Sequence, residues 1–463
     1  MLRWRINPYW VAALLVLAAV APMILSGVSA LKRAEEARER GEYKEAAEFY
    51  ERAARIFFWR DDLYEQAGIA AAQANDFPAA VEYLAKASTL TEEGWVWHCT
   101  ARIQLDDASA LAVCSDGAAQ VESARLFALL AYIHRDNKDW ESERLALENQ
   151  TRLDSSDPYA AYRLGLLLTL FDPQAAIPEL SRASTLNPKA DSAVQTLRAA
   201  LAVSDLQTSE SMKKVVIGQA FGLVQDWELA KFAFEQATRL DETKAEAWAW
   251  LGEAKQQTGG DGAEELNRAL SLNRQSADVR ALRALYWSRR GKYEQMLAEY
   301  LIAAGIEPEN PQWRAGIGEA YSKTGDLVAA LEAYQRAVEL APALPDYWRL
   351  LALFCADYNT QLEEIGLPAA QQAASLAPED PAVLDALGYL YLSTGRFASA
   401  EGILLSAIER SPEYFPAHIH LAMTYLAQGN RAAAYDSLVF VRDAESAGSY
   451  AETARQLLEK YFP

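Results

Sequence analysis

Few side chains in this sequence are spaced to do chemistry. Cys99, Cys114 and Cys355 are too few for a disulfide scaffold and lack a C-x-x-C spacing. His418 and His420 are the only close histidine pair. Two residues apart on a helix they face different sides, which argues against a shared metal. Acid pairs such as Glu35-Glu36 and Glu264-Glu265 are adjacent rather than stacked on one helical face, so no two carboxylates are set for acid and base work. Gly259-Gly260-Asp261-Gly262 is rich in glycine but lacks the Lys-Ser/Thr ending and preceding strand of a phosphate loop. No nucleophile and base emerge, and the expectation is a protein that is not an enzyme and has no cofactor and no metal.

The elements that must position any site are helices. Hydrophobic residues make up 51% of the 463, alanine recurs throughout, and alternating β-branched runs are missing, which predicts an all-α chain. A net charge of −20 repels phosphate backbones and argues against nucleic acid as a partner. At this length one core does not suffice, so several domains or a repeat array are expected.

A repeat is visible. A small residue recurs at Ala34, Gly68, Ala131, Gly165, Gly218, Gly252, Ala284, Gly318, Ala352, Gly388 and Ala422, mostly at steps of 34 residues. A second set follows in phase at Ala46, Ala80, Ala230, Ala330, Ala400 and Ala434. Gly41, Gly291, Gly325, Gly395 and Gly429 mark turns between two helices. Asp157-Pro158, Asn310-Pro311 and Asp380-Pro381 place a capping side chain and a proline where helices start.

The fullest copy runs from Pro311 to Pro342, with Trp313, Ile317, Gly318 and Tyr321 on a first helix and Ala330, Tyr334 and Ala337 on a second. This resembles the tetratricopeptide repeat, W-x₂-L-G-x₂-Y then A-x₃-F then P. The resemblance covers nearly all of residues 28–446 and implies a TPR-type helical-hairpin solenoid, a superhelix. It specifies fold rather than partner, and with nearly every segment used up by repeats a catalytic domain has nowhere to fold.

Departures from the repeat set the expected domains. Residues 1–9 form a short basic tail and 10–29 an apolar segment. A first array spans 30–203, with a shortened repeat near 95–117 and a capping helix over 190–203. A polar joint at 204–211 precedes a second array at 212–446, and 447–463 form a C-terminal capping helix. One continuous solenoid with a surface loop is the alternative to the joint. In the shortened repeat the second helix is expected from Ala108 to Cys114, stopped by Ser115-Asp116-Gly117. Cys99 and Cys114 lie on its two helices, and both a bracing disulfide and two buried thiols fit that placement.

No side chain from Ile6 to Leu31 is charged. About 20 residues span a bilayer, and ten Val, Leu and Ile between Val11 and Leu31 favour insertion by roughly 3–6 kcal/mol before polar costs. The expectation is a single transmembrane helix and a single-pass membrane protein. A cleaved signal ending at Val28-Ser29-Ala30 is the rival, and would leave a secreted soluble protein. Arg3 and Arg5 favour an exported domain, against Lys32, Arg33, Arg38 and Arg40 beyond the other end.

From the resemblance, partners bind in the concave groove lined by first helices. Residues one place after each small marker and three before it should face that groove. In the first array these include Glu65, His98, Arg102, Tyr132, Tyr162 and Leu166, with Arg135 and Tyr159 nearby. In the second they include Gln219, Glu253, Glu319, Arg349, Asp385 and Tyr389. The Lys and Asn clamp of the family's chaperone-tail binders is not present, which argues against an acidic C-terminal peptide. Tyr and Arg are favoured at binding hot spots, so Tyr132, Arg135, Tyr159, Tyr162 and Leu166 are the candidate partner-binding patch. The expected function is a membrane-anchored, non-enzymatic scaffold for a protein or peptide partner. The alternative is an envelope assembly factor that positions a polysaccharide or its synthase.

Overall fold

A computed structural model describes residues 8–444 and 448–463, apart from the side chains of residues 8, 10–17 and 19. Its contacts divide the chain into two compact units, Met1–Gln207 and Thr208–Pro463. In the first unit the helices are α1 (Pro8–Glu39), α2 (Tyr43–Ile56), α3 (Asp62–Gln73), α4 (Phe77–Leu84), α5 (Glu92–Gln104), α6 (Ala110–Gln120), α7 (Ala124–Asp136), α8 (Trp140–Leu153), α9 (Pro158–Phe171), α10 (Pro173–Leu186) and α11 (Asp191–Asp205). The second unit holds α12 (Glu210–Leu223), α13 (Trp227–Leu240), α14 (Ala245–Gln257), α15 (Ala263–Leu272), α16 (Ala277–Arg289), α17 (Tyr293–Ile306), α18 (Pro311–Thr324), α19 (Leu327–Leu340), α20 (Pro345–Asp357), α21 (Leu367–Leu376), α22 (Pro381–Ser393), α23 (Phe397–Arg410), α24 (Phe415–Gln428), α25 (Arg431–Ala444) and α26 (Ser449–Tyr461). Consecutive helices pair as hairpins from α1 with α2 onward, leaving α11 and α26 to close their units. Among the described residues there is no strand.

The hairpins follow from local chemistry. Asp157, Asn310 and Asp380 accept backbone N–H bonds at the start of α9, α18 and α22, each ahead of a proline whose missing N–H costs nothing there. Gly325 takes a positive φ of 91° between α18 and α19, a turn that an L side chain strains to make. Asn75, Lys138, Gln225 and Asn359 take the same left-handed turn without being glycine, which is why only some of these turns are legible from sequence. The recurring alanines Ala34, Ala46, Ala80, Ala230, Ala330, Ala400 and Ala434 are fully buried where helices cross. Gly318 sits so close to α19 that a Cβ there would stand 2.9 Å from the Tyr334 ring.

The single-pass membrane placement expected for residues 10–29 is corrected here. Among the described residues, no helix is long and apolar enough to cross a membrane. From Gly27 onward α1 serves as the first helix of a hairpin: Gly27 lies against Phe57 and Ile56, and Ala30, Ala34 and Ala37 pack with Ala46, Ala47 and Tyr50. Lys32, Arg33, Glu35 and Glu36 stay exposed on the other side. With the span goes the expected exported domain held by it. The first half of that expectation rests on residues 10–17 and 19, whose side chains lie outside those described.

The shortened repeat also differs from expectation. Helix α6 runs straight through Ser115-Asp116-Gly117 to Gln120. Gly117 does not break the helix because it is a packing position, its α-carbon facing the Trp95 indole so closely that a Cβ would stand 3.0 Å away. Ser115 and Asp116 simply face solvent. In the structure Cys99 of α5 and Cys114 of α6 are bonded, with Cα atoms 5.1 Å apart.

Candidate functional site

Runs of first helices touch one another and so share an inner face: α3, α5 and α7 in the first unit, and α12, α14 and α16, then α18, α20, α22 and α24, in the second. Acidic residues recur on that face in the second unit. Glu253 of α14 is buried and receives two bonds from the Arg289 guanidinium of α16, at 2.7 and 2.5 Å. Asp385 of α22 is buried and lies 2.7 Å from Nδ1 of His420 on α24, whose ring stacks on Tyr389 with centroids 4.2 Å apart. Glu319 of α18 occupies the position equivalent to Glu253, yet it is exposed and has no ion pair among the described residues. Among the described residues, no arginine holds Glu319 as Arg289 holds Glu253.

The Glu319 position opens into a cavity of about 530 Å³ between α18 and α20. Glu319 and Lys323 line it from α18, and Leu353 and Asp357 from α20. Its floor comes from the second helices: Tyr300 of α17 and Tyr334 of α19 reach it from behind. Tyr300 passes where Gly316 leaves room, since a Cβ on Gly316 would stand 2.7 Å from the ring carbon that bears the hydroxyl. Burial pushes both phenols well above their ordinary range, and the Glu319 carboxylate adds to the effect, so both stay protonated.

Asp357 is the last residue of α20, where the carbonyl end of the helix already carries partial negative charge. Its side chain is open to solvent, but the surrounding walls take away part of its hydration and raise its carboxyl above the usual carboxylate range. His420, Lys323 and a hydrogen bond donated by the Tyr389 hydroxyl pull the other way without cancelling that cost.

The five residues expected to form a patch in the first unit are only partly brought together. Tyr132 and Tyr159 are 56% and 57% exposed. Arg135 donates to the Tyr159 hydroxyl, tying α7 to α9. Tyr162 is half-buried, and Leu166, 3% exposed, belongs to the core of α9 rather than to an open face. Tyr132 also lines a smaller cavity of about 340 Å³ with Asp106 and Asp136. The other expected groove residues of this unit are engaged internally. Glu65 accepts from the Thr91 backbone N–H and hydroxyl, and Arg102 binds Asp107 at 2.6 Å while its Nε donates to His98. In the second unit Gln219 is half-buried and Arg349 is held by Asp346 at 3.3 Å.

Sequence spacing selected Glu319 and Tyr389 but missed Tyr300, Lys323, Tyr347 and Asp357. The available signal was Gly316-Ile317-Gly318: the repeat pattern uses one glycine here, and the extra one is the gap through which Tyr300 reaches the groove.

Within each unit the geometry defines an all-α array of helical hairpins, like that of tetratricopeptide repeats. Residues 315–344 match the tetratricopeptide repeat family, within the stretch that carries the fullest copy. No curated protein matches the chain. Similar solved structures include yeast Tom70, 15% identical over 94% of this chain and 95% of that one, with a TM-score of 0.44. A tetratricopeptide repeat protein from Parabacteroides merdae is 18% identical over 54% of this chain and 97% of its own, also at 0.44. YrrB, described as a TPR protein with an unusual peptide-binding site, is 20% identical over 41% of this chain and 97% of its own, at 0.30.

Proposed function

We propose that the chain is a non-catalytic scaffold that binds an extended segment of a partner protein in the inner groove of its second unit. The observation that carries this is the cavity between α18 and α20, where aromatic floor, apolar wall and unpaired charges meet in one place. A groove of this kind, apolar with a few fixed polar groups, suits a peptide side chain. Tetratricopeptide-type folds bind peptides or proteins, which agrees with that use.

The test is a selection of random 12-residue peptides on the full chain, followed by fluorescence anisotropy of one enriched peptide. Leu353→Arg, which fills the groove from a half-buried wall position, should weaken binding about tenfold or more. Unchanged affinity in a folded Leu353→Arg protein would place binding elsewhere.

A second reading keeps the first unit's face, because Tyr132 and Tyr159 are open and Tyr132 borders a cavity of its own. Loss of peptide binding in Tyr132→Ala/Tyr159→Ala with Leu353→Arg unaffected would favour it.

A further inference from the structure

We infer that the partner segment carries a lysine or arginine whose charged head sits by Glu319 and Asp357 and whose stem crosses the Tyr300 floor. This rests on the peptide-binding reading and names the chemistry that the same groove selects.

Three observations converge on a cation. Two other acids of this face have close partners within the unit, the Arg289 guanidinium for Glu253 and the His420 ring for Asp385, whereas neither Glu319 nor Asp357 has an ion pair among the described residues, Lys323 and His420 reaching Asp357 only as more distant charges. Lys323 is the one cation lining the cavity, against two carboxylates, so a single added positive charge balances it. Asp357 ends α20, and a positive group there meets both its carboxylate and the helix carbonyls.

The floor adds an independent argument. Tyr300 is 6% exposed, lines the cavity, and its hydroxyl has no hydrogen-bond partner among the described residues. Its oxygen opens on the cavity and can accept from a donor brought in by a ligand. An ammonium or guanidinium donates to the phenol oxygen and to Glu319 at once, while the aromatic surface covers the aliphatic stem. An anionic ligand would face two carboxylates at close range, so a phosphopeptide or acidic tail is disfavoured.

The experiment takes the full chain and the same 12-residue library. Wild-type protein should enrich peptides with Lys or Arg at one fixed position. For a synthetic enriched peptide, replacing that residue by norleucine, or using the Glu319→Gln/Asp357→Asn protein, should each weaken binding about tenfold. Combining them should add little, as expected when both changes remove one interaction. Circular dichroism and melting curves matching wild type show that the variant folds. Peptides without a basic residue that still lose binding to Leu353→Arg overturn the cation inference and leave the scaffold reading standing. Enrichment of acidic or phosphorylated peptides overturns the inference as well. No enrichment, or enrichment insensitive to Leu353→Arg, overturns both.

Discussion

The Tyr389 phenol of α22 favours ionisation of Asp357 at the carboxyl end of α20, yet burial outweighs it and keeps that carboxyl above the usual carboxylate range. The Asp357 carboxyl is raised in the folded state, so its contribution to stability is full below the ordinary aspartate range and is lost as pH rises through the raised value. At neutral pH the ionised group is therefore a small burden. Asp357→Asn should leave the melting temperature at pH 7.5 unchanged or higher, by up to about 1 kcal/mol equivalent, while peptide affinity falls. Lower stability at pH 7.5 would contradict this.

Binding should also depend on pH in one direction. A cation in the groove favours ionised Asp357, so complex formation releases a proton, and affinity falls as pH drops from neutral into the raised carboxyl range. Lys323, His420 and Tyr389 face the same carboxyl, and none of them turns this slope around by the directions they impose. Anisotropy titrations from pH 7.5 to 5, with Asp357→Asn as the control that flattens the slope, check it.

A different pH effect belongs to the first unit. Burial, then the neighbouring Arg102 cation, holds His98 down at about 4. Such a depressed histidine stabilises the folded state above its unfolded value of roughly 6.5, and the gain disappears as pH falls toward 4. The loss over that window should be on the order of 2–3 kcal/mol. Urea unfolding of wild type and His98→Gln, which keeps an acceptor for the Arg102 N–H, should differ at pH 7.5 and converge near pH 4.

Arg163 of α9 and Glu143 of α8 form a buried pair with bonds of 2.6 and 3.0 Å. Removing one partner strands a charge in the core. Glu143→Ala should cost about 3–5 kcal/mol in urea unfolding, while cutting an exposed pair such as Lys86 with Glu82 should leave the unfolding midpoint close to that of wild type.

Glycines separate into two groups by what lies beside them. A Cβ on Gly388 would stand 2.5 Å from Leu404 Cγ, so Gly388→Ala should destabilise by about 1–3 kcal/mol despite its better helix propensity. Gly402, inside α23, has open space within 4 Å, and Gly402→Ala should stabilise by about 0.5–1 kcal/mol. Paired thermal melts read the contrast.

The repeat was legible because its physics is local and periodic. Close crossings demand a small residue at one position per hairpin, and Gly318 beside Tyr334 is a direct instance. The turns were half legible, since Gly325 announces a left-handed residue and Lys138 does not. Hydropathy over 10–29 suggested a span, but it could not reveal that Gly27 and Ala30 are committed to packing on α2. The site was the least legible part. Whether an acid on the inner face is free depends on a cation 35 or so residues away, as with Glu253 and Arg289, and marker spacing treats Glu253 and Glu319 alike. Leu166 fell in register with the groove and still turned into the core.

Hydrogen exchange measured by mass spectrometry on the full chain, with and without an enriched basic peptide, tests the central claim most directly. Slowed exchange should concentrate in 311–324 and 345–357, the helices that wall the cavity, and should vanish in Leu353→Arg. Protection confined to the first unit, or spread evenly over both units, would contradict a seat between α18 and α20.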